Sequence, residues 1–366
     1  MRNPVDRWTA GKIAGLVDGH PAEKLDRQLL DSYTQRKLRQ TLEYAVSNSS
    51  FYRDKYGAAT EEIRGDFRGD FMEFFANLPF STAQELRSRG TDFLCVGASD
   101  ISRVVTLDTG GSTGAPKRIY FTEEDQQLTV DYFANGMKLI VDRCDTVLIL
   151  MPAKMPGSIG RLLSSGLRST GVATIDYGLP RMGPAVPARQ NMAEAETLLH
   201  LMEAEGVTAV VALPTHMKML AQLQQKRAGI SPLRRVLLSA EYVDDEDVRR
   251  IESAFGCRVY EHYGMTEMGL GCAVSCGQGA GYHVREADLY LEIIDPRTGR
   301  PAGAGETGEV VFTTLTRTGM PFIRYRTGDY SRWLTEPCPC GSLLKRLDKV
   351  GPREAVKGYL QQSREI

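Results

Sequence analysis

Between Asp26 and about Ser50 apolar residues return at helical spacing (Leu29, Leu30, Tyr33, Leu38, Leu42, Ala45), which predicts an amphipathic helix near the start of the chain. A polar stretch follows to about Asp100. RVVTLDTG, Arg103 to Gly110, reads as a short strand running into a glycine-rich turn, with a second strand, KRIYFT, after it. Short apolar runs then alternate with helical segments. The runs are TVLILM from Thr146, GVATIDY from Gly171, VTAVVALP from Val207 and RVLLSAE from Arg235. Helices are predicted at Asp125 to Ile140, at Ala193 to Gly206 and from about His216. This rhythm predicts an α/β fold of layered, largely parallel sheets. The Pro-rich segment Gly178 to Met192 reads as a surface connection. From Leu289 the period changes. LYLEIID and GEVVFTTL alternate apolar and polar residues, which predicts a small antiparallel β subdomain. The expected division is an α/β core at 1–288, the antiparallel unit at 289–345 and a remnant hinge or tail at 346–366.

Composition narrows the classes. With 366 residues, 42% hydrophobic and 25% charged, the chain can bury a large core. Lys plus Arg number 45 against 46 Asp plus Glu, a balance that offers no general attraction to nucleic acid or to an anionic membrane. MRNPVDRWTAGK lacks the apolar stretch of a secretory signal, so the expected location is the cytoplasm. Seven cysteines without an export signal argue against a disulfide framework. Cys95, Cys144 and Cys257 read as core thiols.

The sharpest feature is TGGSTGAPK, Thr109 to Lys117. Its glycines and interleaved hydroxyls supply backbone N–H and side-chain donors for phosphate oxygens, and a cation closes it. A Walker loop is excluded: counting from Gly111 puts Pro116 where glycine is needed and Arg118 where the magnesium-binding hydroxyl belongs. GAGETG, Gly303 to Gly308, fits a dinucleotide pattern by letter but precedes a β-like run, so it reads as a hairpin turn.

The loop resembles the phosphate-binding signature of the adenylate-forming superfamily, which includes acyl-CoA synthetases, aryl acid ligases and adenylation domains of peptide synthetases. Three later segments resemble the same superfamily in the same order: EHYGMTE (Glu261 to Glu267), GETGEVVFTTL (Gly305 to Leu315) and RYRTGD (Arg324 to Asp329). The resemblance implies the large N-terminal domain of those enzymes, using ATP and Mg2+. Thr109, Gly110, Gly111, Ser112, Thr113, Gly114 and Lys117 would hold the β- and γ-phosphates, Glu267 the magnesium, and Thr266 the α-phosphate. Glu261, His262, Tyr263 and Gly264 would flank adenine, with Ser239, Ala240 and Glu241 opposite, and Asp329 would take the ribose hydroxyls. The acid would lie among Tyr132, Phe133, Gly136, Thr215, His216, Met265 and Gly269.

Cys276 and His283 are separated by six residues, and Cys338-Pro339-Cys340 follows RYRTGD. Three thiols and an imidazole suit a closed tetrahedral structural zinc, with Cys272 a substitute for Cys276 and buried free cysteines the alternative. The pairing of GCAVSCGQGAGYH with CPCG resembles the phenylacetate-CoA ligase branch, where such residues bind zinc. Full-length relatives carry a C-terminal lid domain whose lysine bridges acid and α-phosphate. Few residues follow Asp329, so that domain is expected to be absent, with Lys345, Lys349 and Lys357 as conceivable stand-ins. The N-terminal helix ending NSSFYRDKYG and the chain length resemble short members of the superfamily, among them phenazine-antibiotic adenylating proteins. These imply an aromatic acid, a phenazine carboxylate in the best-matching case, activated for an acyl reductase or other acceptor, in a chain that forms a homodimer. The competing readings are a non-catalytic ATP- or adenylate-binding protein, an aryl-CoA ligase completed by another chain, and a phosphoryl-transfer kinase.

Overall fold

A computed structural model describes residues 3–14, 25–65, 69–107, 116–227 and 231–352. Among them a nine-stranded sheet forms the centre. Strands Ala209–Ala212, Arg235–Leu238 and Arg258–Tyr263 run parallel beside Thr146–Ile149 and Ala173–Asp176. Ala209–Ala212 is buried throughout, as expected of a central strand covered by helices on both faces. Beyond Arg258–Tyr263 the sheet turns antiparallel through Ala273–Val274, Tyr282–Val284, Arg346–Leu347 and Trp333–Leu334. A separate four-stranded antiparallel sheet joins Leu289–Ile294, Gly308–Thr314, Tyr325–Ser331 and Gly351–Pro352. The α/β expectation and the antiparallel pairing of LYLEII with GEVVFTT therefore match the structure, and GAGETG lies in their connection. Trp333–Leu334 and Arg346–Leu347, which flank the CPCG turn, belong to the large sheet.

The long helix Arg27–Asn48 begins where the spacing predicts, with Asp26 accepting from the Leu29 N–H at 2.8 Å. Two boundaries differ from expectation. Helix Ala188–Ala204 starts inside the segment read as a loop, directly after Pro187, and helix Pro214–Gln224 starts on Pro214 itself, since proline is tolerated in a first helical turn. The polar stretch before Asp100 contains helices Ser50–Lys55, Thr60–Arg64, Phe71–Asn77 and Ala83–Arg89. Asp70 caps one, and Thr82 with Glu85 forms a reciprocal capping box on another, a signature visible in the sequence. Of the three cysteines expected in the core, Cys95 is buried, Cys257 half-buried and Cys144 exposed in the turn before a strand.

Helices Glu123–Gly136 and Ile159–Ser169 cross at Gly166, where an added Cβ would come within 2.9 Å of the Val130 carbonyl and 3.0 Å of the Ala134 nitrogen. Both are backbone atoms that cannot swing aside. Gly166→Ala is expected to destabilise the protein by about 1–3 kcal/mol. A urea titration reads this as a lower midpoint at unchanged slope, and an unchanged midpoint would show that the crossing has slack.

Candidate active site

The parallel strands end at one edge, where backbone groups no longer serve the ladder and ligands of open α/β sheets bind. Three connections leave adjacent strands there: Leu213 leading into the helix that starts at Pro214, Ser239-Ala240-Glu241, and Gly264 to Glu267. Ala240 is held at φ 71°, a left-handed conformation costing about 1–3 kcal/mol that clusters at ligand sites. Glu241 ties two of these connections together, one oxygen accepting from the Thr215 N–H at 3.1 Å and its hydroxyl at 2.7 Å.

Glu267 lies at the floor of this edge, 1% exposed. Buried carboxylates need compensating donors. Lys117 Nζ lies 2.5 Å from its Oε1, and the Tyr325 hydroxyl donates to the same oxygen at 3.2 Å. Lys117 opens the second strand of an antiparallel hairpin, opposite Leu107. Arg317 fixes the backbone beneath, donating to the Glu267 carbonyl at 2.9 Å and the Tyr120 carbonyl at 2.8 Å. One guanidinium thus joins the hairpin to the EHYGMTE turn. Tyr325 and Arg317 were not foreseen in the sequence, although Tyr325 stands within RYRTGD. Thr109 to Gly114 lie outside the described residues.

The Tyr263 hydroxyl donates to Asp329 Oδ2 at 3.0 Å, joining the large sheet to the four-stranded one. Burial raises the Asp329 carboxyl above the usual range; the Tyr263 bond opposes this, and Glu267 and Glu309 add to it. Glu261 is engaged by the Lys349 ammonium at 3.0 and 2.9 Å and by the Tyr282 hydroxyl at 2.6 Å. Lys349 also pairs with Asp245 at 2.8 Å, so this lysine braces the wall of the cleft. Thr266 and Gly264 line the same turn, both half-buried.

Behind the edge lies a narrow apolar cavity of about 30 Å³. Tyr132, Phe133 and Gly136 of the expected acid pocket line it, together with Met151, Leu163 and Val211. Thr215, His216, Met265 and Gly269 are not among its lining; His216 is bonded to the Met182 backbone, and Thr129 donates to the Gly269 carbonyl at 2.9 Å. Ser239 and His262 do line it, with the Ser239 hydroxyl 2.9 Å from His262 Nδ1. Burial lowers the His262 pKa to about 4, helped by the positive charge of Arg285, so the ring is neutral at physiological pH. The wall is backed by helix Pro4–Ala14. The Trp8 ring lies 5.8 Å from Tyr132 and its Nε1–H donates to Asp131 at 2.8 Å, while the Arg285 guanidinium lies 4.6 Å from the Tyr132 ring.

A second cluster brings Cys276, His283, Cys338 and Cys340 together, their ligand atoms all within 4.8 Å of one another. Cys276 Sγ is 3.5 Å from Cys338 Sγ, and Cys340 Sγ is 3.3 Å from His283 Nε2. His283 comes from strand Tyr282–Val284, and the CPCG turn from the connection between Trp333–Leu334 and Arg346–Leu347. Arg346 steadies both sides, donating to the carbonyls of Ala280 and Glu336. His283 Nδ1 is buried without a protein partner. The donor set suits a four-coordinate metal. Cys272 is not part of it; this thiol is buried elsewhere, and desolvation pushes its pKa up.

A family model described as AMP-binding enzyme matches residues 177–316. The phenylacetate-coenzyme A ligase of Thermus thermophilus is 27% identical over 336 residues, 90% of this chain and 71% of that protein. That of Escherichia coli is 28% identical over 342 residues, covering 91% and 73%. A 2-hydroxyisobutyryl-CoA ligase, solved with 2-HIB-AMP and CoA, superposes with a TM-score of 0.76 at 22% identity, covering 91% of this chain and 72% of that one. These likenesses support the adenylate-forming superfamily on the side of its phenylacetate-CoA ligases, and the layered α/β fold is the one such enzymes have. No helix among the described residues is long and apolar enough to cross a membrane.

The depressed pKa of His262 has a stability consequence. The unfolded chain takes up this proton near pH 6.5 and the folded one only near 4, so stability is full above 6.5 and falls as pH drops through that window. His262→Leu is expected to flatten this part of the urea midpoint against pH; an unaltered profile would locate the sensitivity elsewhere.

Proposed function

We propose that this chain activates an aromatic carboxylic acid with ATP, forming the acyl-adenylate and releasing pyrophosphate. The observation that carries it is the convergence of Lys117, Glu267, Tyr263 and Asp329 at the loop edge of the parallel strands, beside an apolar cavity. A carboxylate oxygen attacks the α-phosphorus in line, the new P–O bond forms, and the bond to the β-phosphate oxygen breaks. Two anions must be held together against their repulsion, which needs cations and fixed dipoles. In this reading Lys117 leaves Glu267 for the phosphate oxygens contributed to the loop Thr109 to Gly114, and Glu267 becomes free to hold Mg2+. Magnesium supplies charge neutralisation on the phosphates. Thr266 donates to the α-phosphate, Tyr263 and Gly264 bound one face of adenine with Ser239 to Glu241 opposite, and Asp329 accepts from the ribose hydroxyls. A phenazine or similar fused aryl carboxylate is the favoured acid. A partner enzyme, an acyl reductase in the favoured case, receives the acyl group, and the chain works as a homodimer in the cytoplasm.

Acid-dependent exchange of labelled pyrophosphate into ATP tests this reading across a panel of aromatic acids. Lys117→Ala and Glu267→Ala are each expected to reduce exchange about 10²–10³-fold. Release of ADP in place of AMP, or binding of ATP with no exchange for any acid, would overturn it.

The thiol–imidazole cluster is read as a structural zinc site held by Cys276, His283, Cys338 and Cys340. These four residues would fill the coordination of a four-coordinate ion, so a bound zinc would tie the CPCG turn to the large sheet and would leave no open position for catalysis. Metal analysis of native protein is expected to give about one zinc per chain, and Cys340→Ser to lower both zinc content and melting temperature. A ratio near zero in native protein would remove the assignment.

A further inference from the structure

The thiol–imidazole cluster has a neighbour that the zinc reading does not use. Two hydrogen bonds join the CPCG turn to the start of helix Pro4–Ala14. The Asn3 side-chain amide donates from Nδ2 to Cys340 Sγ at 3.6 Å. Two residues on, the Ser342 hydroxyl donates to Asp6 Oδ1 at 2.7 Å. Asn3 is buried, and the other end of its amide is committed as well: Oδ1 accepts from the Asp6 N–H at 2.9 Å and caps the first turn of the helix. That bond fixes which end of the amide meets the sulfur, since a flipped amide would set its NH2 against the Asp6 N–H.

One amide thus serves two structures, and the chemistry of sulfur makes them interdependent. A cysteine that ligates a metal is a thiolate, whereas a free thiol is only a weak acceptor. The Asn3 contact is therefore charge-assisted when Cys340 is a ligand and weak when it is not. Donors to the ligands of a metal orient them and raise affinity. Such a coupling is reciprocal: a contact that tightens the metal also tightens the seat of the helix. Farther along, the helix is held by groups remote from the cluster, with Trp8 Nε1–H donating to Asp131 at 2.8 Å and Lys12 pairing with the same carboxylate at 3.2 Å. The Cys340 contact can accordingly be removed without touching the rest.

We propose that Asn3 is a positioning residue of the metal cluster. Its amide steadies Cys340 as a thiolate ligand, and metal loading in turn seats helix Pro4–Ala14. This rests on the zinc reading and deepens it.

The experiment uses the full-length protein purified without chelator. Zinc is counted by metal analysis, and its affinity is read by competition with 4-(2-pyridylazo)resorcinol. Asn3→Ser keeps a capping oxygen but lacks the amide donor, and Asn3→Asp keeps the cap while placing a carboxylate beside the thiolate. These variants are expected to hold zinc about 10–100-fold less tightly, the aspartate more so. In the reciprocal arm zinc is stripped from the unmodified protein and amide hydrogen exchange is followed. Exchange in residues 5–14 is expected to quicken about tenfold or more, with helix Ala188–Ala204 unchanged as the control. Trp8 and Trp333 are the two tryptophans, so Trp333→Phe leaves Trp8 as a single reporter, whose emission is expected to shift to the red as zinc is lost. Unchanged zinc affinity in both Asn3 variants overturns the inference while the zinc assignment stands, and so does a helix whose exchange ignores zinc loss. If stripping quickens exchange everywhere, the chain has unfolded and the affinity arm decides alone. Native protein without zinc removes the assignment and this inference with it.

Discussion

A carboxylate almost wholly withdrawn from water sets the terms for this molecule. Burying Glu267 at the floor of the sheet edge calls for donors to reach it, and those donors come from distant parts of the chain. Lys117 arrives on a hairpin and Tyr325 on the four-stranded antiparallel sheet, while Arg317 holds the glutamate's own carbonyl. Three structural units are thereby fixed around one side chain. The arrangement also keeps a cation and a carboxylate in contact where the phosphates are proposed to enter.

The cleft divides labour between two surfaces. Toward the loop edge stand polar groups drawn from the ends of neighbouring parallel strands, cross-linked by Glu241 with Thr215 and by Lys349 with Glu261. Behind them lies an apolar cavity bounded by the helix Glu123–Gly136 and closed by His262 and Ser239. The strand Arg258–Tyr263 serves both, because successive side chains point to opposite faces. Tyr263 reaches Asp329, and its neighbour His262 lines the cavity.

Much of this was legible in the sequence where local pattern decides the outcome. Alternating apolar runs and helical segments announced the parallel sheet, and Asp26 marked the start of the long helix. The spacing of Cys276, His283 and CPCG anticipated a cluster that the antiparallel extension of the sheet brings together. The short helices after Ser49 were hidden, since each carries too few turns for apolar periodicity to show and only caps such as Thr82 with Glu85 betray them. Residues that act through tertiary pairing were equally hidden. Nothing in the spacing of Tyr325, Arg317 or Lys349 reveals that their partners lie on distant elements. His262 shows the same limit at a finer scale: its motif was readable, but the face to which its ring turns depends on strand register.

The helix Pro4–Ala14 does more than cover apolar surface. Trp8 braces Tyr132 from outside while Tyr132 faces the cavity from within, so the opening turns of the polypeptide are a mechanical backing for the pocket wall. Fusions or deletions made beside that helix for convenience would loosen the backing and be felt, a ring's width away, in the shape of the cavity.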